Sequence, residues 1–364
     1  DGSQSRFGES DAAGSHAAIR LLNWNVCAET LKSGDIGFAE SYVAGDWTTP
    51  DLPALMKLIV ANRDAVEGMI YGHWWGRLLY RAKHLLNRNS RRGSRKNIHA
   101  HYDLGNPFYR LWLDPTMNYS SAWFEGNKDR GLPDAQHAKV RRALVECGLQ
   151  PGQRLLEIGC GWGALAEKAA SEFAADVTGV TLSTEQLSYA QERVSQARLA
   201  GRVDLRLQDY RDIDDAPFDA IASIEMFEAV GREYWPGFFA TLCNKLKPGG
   251  QACIQTITIR DDLFERYVAG TDFIQQYIFP GGLLPSPSQF REQARAAGLE
   301  VVNELAFGAD YAETLRRWRE RFLAEESHVR RIGFDTRFVR IWEFYLAYCE
   351  AAFEGGNTDV IQFT

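Results

Sequence analysis

The sequence predicts an α/β fold built on a doubly wound, mostly parallel sheet. Two observations carry this. From Arg154 onward, short apolar runs of strand length alternate with helical segments, the pattern of parallel strands whose crossover helices cover both faces. Between the first strand and the first helix, Glu157-Ile-Gly-Cys-Gly-Trp-Gly163 makes a glycine-rich turn. Glycines there let the backbone turn sharply and approach a ligand closely.

Taken in order, Arg154–Ile158 is the first strand and Ala164–Phe173 its helix. Val177–Leu182 is the second strand, and Ser183 opens a helix that runs to about Leu199. Val203–Leu207, Ala220–Ile224 and Gln251–Ile257 follow as strands, and Leu299–Leu305 and Asp359–Phe363 bring the sheet to seven. Between the last two, Thr314–Phe353 reads as helical, so an insertion at about 306–355 is expected to cap the sheet. Upstream, residues 19–90 read as a small, mostly helical N-terminal domain, with spaced apolar positions in Leu52–Val60 and Arg77–Leu86. Asp1 to Ala18 is polar and rich in Gly and Ser, and is expected to be a disordered lead-in or an appended remnant. Arg88–Lys96, with Asn, Ser and Gly interleaved, looks like a linker. It sets a domain boundary near residue 91, with the larger domain at 91–364.

Composition narrows the function. The net charge of -7 argues against a general nucleic-acid binder. No stretch approaches the roughly 18 apolar residues of a spanning helix, and the N-terminus has no apolar signal core. The six cysteines are spread without a C-x-x-C pair. That argues against a disulfide framework or structural zinc and fits a reducing cytoplasm. No H-E-x-x-H or Cys cluster points to a metal. One segment stands out against the acidic background. From Glu67 to Asp103 there is no acid, while Arg77, Arg81, Lys83, Arg88, Arg91, Arg92, Arg95 and Lys96 lie beside Tyr71, Trp74, Trp75 and Tyr80. Cations next to aromatics suit an anionic membrane surface. The alternative is a solvated linker after a helix with its apolar face in a core.

The turn itself is informative. It spells G-x-G-x-G with an acid, Glu157, directly before it. In this it resembles the Rossmann-like methyltransferases, where the turn cradles the methionine part of S-adenosylmethionine. A dinucleotide site would place an acid at the end of the second strand. Here that strand ends Thr181-Leu-Ser. Thr181 and Gln186 suit ribose hydroxyls instead, although Ser183-x-x-Gln186 is also a capping box. In Gln208-Asp209-Tyr210 the acid suits the adenine amino group; the alternative is an exposed loop acid.

Several further blocks resemble one family, the cyclopropane fatty acid synthases and related mycolic acid synthases. They are His101-Tyr-Asp-Leu-Gly-Asn106, Leu113-Asp-Pro-Thr-Met-Asn-Tyr-Ser120, Met226-Phe-Glu228, Tyr277-Ile-Phe-Pro-Gly-Gly282 continuing to Ser286, and Phe307-Gly-Ala-Asp-Tyr311 continuing to Leu315. With the turn and the ending Asp359-Val-Ile-Gln-Phe-Thr364 they span residues 100 to 364 in register. Phe38–Trp47 resembles the N-terminal helical domain of the bacterial phospholipid-acting members. The resemblance implies a class I methyltransferase with S-adenosylmethionine as donor and an unsaturated acyl chain of membrane phospholipid as acceptor. The product it implies is a cyclopropane or a methyl-branched unsaturated chain. It assigns the cofactor site to Tyr102, Tyr119, Ser120, Gly159, Gly161, Thr181, Gln186, Gln208 and Asp209, with Glu157, Trp162 and Gly163 shaping the turn. It further implies a peripheral enzyme on the inner, cytoplasmic face of the membrane and a homodimer.

An isolated alkene is a weak nucleophile, so the site must align it with the sulfonium methyl group and exclude water. Aromatic faces stabilise the cation that results, and a base must then take a proton. In the family that base is a bound bicarbonate. Its ligands map here to Ser121 (Cys in the family), Glu228, Gln255 (His in the family), Ile257 and Tyr311. Ser and Gln keep hydrogen-bond donors for an anion. An added acid, Glu225, offers a second candidate base; its other reading is a helix N-terminal acid. Two competing functions are a small-molecule O- or N-methyltransferase, which predicts a polar acceptor pocket, and a non-catalytic lipid-binding protein.

Overall fold

A computed structural model describes residues 2–8, 16–62 and 104–364. The basic run, the segment Arg77–Leu86, the boundary near residue 91 and Tyr102 lie outside the described residues. Seven strands form the main sheet: β1 (Arg154–Ile158), β2 (Asp176–Thr181), β3 (Val203–Leu207), β4 (Phe218–Ile224), β5 (Leu246–Ile259), β6 (Glu304–Ala306) and β7 (Thr358–Phe363). Their order is β3-β2-β1-β4-β5-β7-β6. β1 to β5 pair in parallel, and β7 runs antiparallel to both β5 and β6. The expected doubly wound, mostly parallel sheet is therefore present.

The strands were readable as apolar runs because both faces are covered. Leu155, Val177 and Ala220 pack on one side with Leu144, Leu165 and Ala190. Leu156, Ile158 and Ile221 pack on the other with Phe227, Phe238 and Phe239. The chain winds outward from β1 in one direction and resumes at β4 in the other. The crevice at the ends of β1 and β4 is thus the switch point, where ligands of open α/β sheets bind.

Three elements differ from expectation. β5 starts earlier, at Leu246, because a bulge at Phe218/Ala220 accommodates the Lys247–Gly250 stretch. Added bulk at Gly250 would lie 2.7 Å from the Asp219 carbonyl oxygen. β6 holds only Glu304–Ala306; before it the chain runs past the end of β7, where the Val302 N–H donates to the Thr364 carbonyl at 2.8 Å. A short edge strand of this kind offers little unpaired backbone to another chain. The helical stretch between β6 and β7 is three helices, Gly308–Ala324, Glu326–Arg331 and Thr336–Glu354. Gly333, at φ 109°, breaks it, and Asp335 caps the last helix by accepting the Phe338 N–H at 2.8 Å.

Upstream, Asn25–Ser33, Asp35–Ala44 and Leu52–Ala61 are helical. Trp47 is fully buried, stacked on Phe38 at 4.4 Å, with its indole N–H donating to Ser41 Oγ at 2.9 Å. These helices join a single hydrophobic core with Asn106–Trp112, Gly308–Ala324 and Thr336–Glu354. The Tyr42 and Phe344 rings are 5.8 Å apart, and Arg340 donates to the Tyr42 carbonyl at 2.9 Å. Asp35 accepts the Tyr348 hydroxyl at 3.1 Å and the Phe273 N–H at 3.4 Å. Asp272 caps the short helix Phe273–Tyr277 through a capping box with Gln275. The N-terminal helices therefore brace the segment that leads to Leu283, whose N–H donates to the Glu228 carbonyl at 2.9 Å.

Candidate functional site

The turn after β1 is glycine by necessity. Gly159 has φ 87°, and a Cβ there would sit 2.9 Å from Met226 Cγ. Gly163, at φ 83°, starts the helix Ala164–Glu172 and packs on Ala190, where an added Cβ would lie 3.0 Å from the alanine's own. Above this turn one cavity is lined by Tyr119, Ser120, Glu157, Gly159, Gly161, Trp162, Thr181, Gln186, Gln208 and Asp209. Gly163 stands behind it. Glu157 Oε2 is buried and has no hydrogen-bond partner. Burial pushes that carboxyl upward, with Lys139 and Arg193 pulling it back.

The two readings of Gln186 coexist. Ser183 Oγ accepts the Gln186 N–H at 3.2 Å, so the backbone serves the cap. The Gln186 side chain accepts the Thr181 hydroxyl at 3.1 Å and faces the cavity. The box is half formed, since the Ser183 N–H goes to Thr181 Oγ1 at 3.2 Å. Asp209 is not an exposed loop acid. It is buried, and Arg211 grips it through Nε at 2.8 Å and Nη2 at 2.6 Å. Gln208 Nε2 donates to the Asp212 carbonyl at 2.8 Å, and Trp162 Nε1 to Asn106 Oδ1 at 2.7 Å.

A second cluster adjoins the cavity. Glu225 follows β4 directly, at φ 49°. A non-glycine residue there costs about 1–3 kcal/mol and persists only where its surroundings over-determine it. They do. The Glu225 N–H donates to the Gln255 carbonyl at 2.8 Å. Its Oε1 accepts the Ser121 N–H at 2.9 Å and Gln255 Nε2 at 2.7 Å, and its Oε2 accepts the Tyr311 hydroxyl at 2.7 Å. Glu228 lies in the turn Phe227–Ala229. One of its oxygens accepts the Ile257 N–H, while Oε2 is buried without a partner.

Burial raises both carboxyls. Lys139, the Ser121 N–H, Tyr311 and Gln255 then pull Glu225 back down, whereas its charge pushes Glu228 further up. Of the two, Glu228 therefore holds a proton more tightly, while the donors around Glu225 favour its charged form.

Two expectations need correction. Glu225 is not a helix N-terminal acid; it is a left-handed residue ahead of a single short turn. Ser121 contributes only its backbone N–H, because its hydroxyl donates to the Ala122 carbonyl at 2.9 Å.

Some site residues escaped the sequence. Lys139 and Gln136 are fully buried on the helix Leu132–Glu146. Lys139 Nζ donates to Ser120 Oγ, and Gln136 Nε2 to the Ser120 carbonyl at 2.8 Å. Burial pushes the Lys139 ammonium down to about 8. Their only signal was polarity at i and i+3 on a face shared with Ala135, Val140 and Ala143. The Tyr345 and Tyr119 hydroxyls are 2.8 Å apart. The Tyr119 ring lies 5.6, 5.3 and 5.5 Å from Tyr109, Trp112 and Trp318, an aromatic wall beside the carboxylates.

The family described as mycolic acid cyclopropane synthetase matches residues 89–363, from beyond the N-terminal helices to the end of β7. The chain belongs to the mycolic acid cyclopropane synthetase family. Among its members, the tuberculostearic acid methyltransferase UfaA1 of Mycobacterium tuberculosis is 40% identical over 340 residues, covering 92% of this chain and 79% of that protein. The cyclopropane-fatty-acyl-phospholipid synthase of Escherichia coli is 36% identical over 360 residues, covering 98% and 90%. A solved mycolic acid cyclopropane synthase, CmaA1 complexed with SAH and CTAB, superposes with a TM-score of 0.69 at 34% identity, over 74% of this chain and 96% of that one.

As a member of the mycolic acid cyclopropane synthetase family, the chain is an S-adenosylmethionine-dependent methyltransferase. The cavity fits that cofactor. Glu157 Oε2 lacks a partner that an ammonium would supply, the helix start offers free N–H groups, and Thr181, Gln186 and Asp209 line the other end. The Ser121, Gln255 and Tyr311 donors that the resemblance assigns to bicarbonate bond Glu225 instead. Among the described residues no group of three or more His, Cys, Asp or Glu is placed to hold a metal.

Proposed function

We propose that this enzyme methylates a double bond in an unsaturated acyl chain of a membrane phospholipid, and that Glu225 takes the proton that completes the reaction, leaving a methyl-branched unsaturated chain. The observation that carries this is the Glu225 carboxylate, held by the three donors that the family resemblance assigns to an external anion. S-Adenosylmethionine supplies an electrophilic methyl group when bound. Attack by the alkene forms the new carbon–carbon bond, leaves the former donor neutral and puts a positive charge on the adjacent chain carbon. The Tyr119, Tyr311 and Trp318 rings, packed on one another next to Glu225, would steady that charge. Glu225 then takes a proton from the next chain carbon, and the freed electron pair closes a new double bond. Glu228, which holds a proton more tightly, adds no second charge to compete.

The acyl-chain acceptor is that of the family, and the methyl-branched outcome is favoured by the 40% identical relative, a methyltransferase by name. The phospholipid acceptor is supported by the relative named cyclopropane-fatty-acyl-phospholipid synthase. Among the described residues no helix is long and apolar enough to cross a membrane. Exposed Leu22, Trp24 and Leu31 supply apolar side chains for a peripheral contact.

The test uses S-adenosylmethionine with a trideuterated methyl group and vesicles of mixed unsaturated phospholipids. A product that keeps all three labels and still takes up hydrogen is the expected methyl-branched alkene. A product that keeps two labels and resists hydrogenation is a cyclopropane and overturns the proposed product. Glu225→Gln is expected to lower turnover by about 100-fold or more, the usual contribution of a general base, with S-adenosylhomocysteine binding kept. An unchanged rate and product in that variant would remove Glu225 from the reaction.

A further inference from the structure

Resting on Glu225 as the base, we propose that Gln362, anchored by Arg142, is a positioning residue that fixes which end of the Gln255 amide meets Glu225. An amide carries an acceptor oxygen and a donor nitrogen at nearly the same place, so a buried amide beside a carboxylate must be held one way round. Turned over, Gln255 would set its oxygen against Glu225.

The geometry prevents the turn. Gln255 on β5 and Gln362 on β7 are register partners in the antiparallel ladder, and both side chains are fully buried. Arg142 Nη1 donates to Gln362 Oε1 at 2.5 Å. A guanidinium has donors only, so the Gln362 oxygen is fixed toward it. Gln362 Nε2 then spends its two hydrogens on the Lys139 carbonyl at 3.2 Å and on Gln255 Oε1 at 3.0 Å. With its oxygen taken, Gln255 has only its nitrogen for Glu225, at 2.7 Å. A donor-only cation stands at one end of this row and an acceptor-only anion at the other. Only one orientation of the two amides sets a donor against an acceptor at each contact along the row. Arg142 is itself steadied by Glu146 at 3.5 Å and by the Trp123 ring at 5.9 Å. Neither Gln362 nor Arg142 lines the cofactor cavity.

The experiment follows steady-state turnover against pH for the full-length enzyme, for Gln362→Met, and for both in a Gln255→Leu background. Gln362→Met frees the Gln255 amide to turn. Turnover is expected to fall about tenfold, the worth of one hydrogen bond to a charged group, while KM for S-adenosylmethionine holds. The acid limb of the profile is expected to move to higher pH, because a less stabilised Glu225 protonates sooner. In the Gln255→Leu background both effects are expected to vanish. An unmoved pH profile, or the same loss with and without Gln255, would overturn the proposal. Arg142→Leu, a change near the surface, is expected to repeat the pH shift in smaller measure, and settles the question if Gln362→Met fails to fold. Should Glu225→Gln leave rate and product untouched, the base assignment fails instead, whatever Gln362→Met does.

Discussion

Replacing Tyr311 by Phe removes one atom and keeps the ring. The lost hydroxyl donates to Glu225 Oε2 at 2.7 Å, inside a pocket where Tyr311 is 5% exposed. Water therefore has little access to take its place. A hydrogen bond to a charged group contributes about 1.5–3 kcal/mol. At about 1.4 kcal/mol per factor of ten, turnover should fall by roughly 10- to 100-fold. The direction on pH follows from the charges. Burial already raises the Glu225 carboxyl, and Tyr311 is one of the groups that pull it back. Without that donor the carboxyl rises further, and since the ionised form is the proposed base, the acid limb of the rate profile is expected to move to higher pH. Rings that steady a cation are retained, and Tyr311 does not line the cofactor cavity, so S-adenosylhomocysteine affinity should not change. The assay is single-turnover product formation across pH 5.5 to 9 with label-bearing cofactor. A profile that superposes on the parent's, at an unchanged rate, would refute the argument that this hydroxyl serves the base.

Three other outcomes are expected. Gly159→Ala forces a side chain onto a backbone at φ 87° and into Met226; the strain of about 1–2 kcal/mol or more should weaken S-adenosylhomocysteine binding by roughly tenfold or more in calorimetry, with little change in chain fold by circular dichroism. Trp47→Ala empties a fully buried site shared by the N-terminal helices and the cap, and should cost about 3–5 kcal/mol as a lower urea midpoint. Asp272 is pushed up to about 7 by burial and by neighbouring Asp35. The unfolded chain ionises it near 3.8, so stability is full below that value and falls as pH rises toward 7, by about 1.4 kcal/mol per unit. Asp272→Asn keeps a capping side chain and should flatten that slope in thermal melts between pH 4.5 and 8; melts that parallel the parent's would sink it.

The centre of the sheet was legible because β1 and β4 are buried on both faces and so appear as short apolar runs, whereas edge strand β3 alternates, with Asp204 and Leu207 exposed. Legibility faded at the edge. β6 is short, and Leu299 and Val301 lean on the core from irregular chain, which mimics a strand in sequence. The cofactor turn was legible because its glycines answer a backbone demand that no other residue meets. Glu225 showed itself as an extra acid beside a matching block. Its surroundings did not, because Lys139, Gln136 and Gln362 are single polar residues inside ordinary elements. Helix phase and strand register bring them together, and neither leaves a motif.

As the proposed base, Glu225 is covalently part of the protein, and that changes what the enzyme would depend on. A base borrowed from solution has an occupancy set by its concentration, and falls away when dissolved carbon dioxide is low or when another small anion competes. A side chain has no dissociation constant: every folded molecule carries it, and its effective molarity is that of an intramolecular group. The left-handed backbone at φ 49° is the standing charge for that independence. Turnover should therefore be indifferent to degassing and to the carbonate content of the medium.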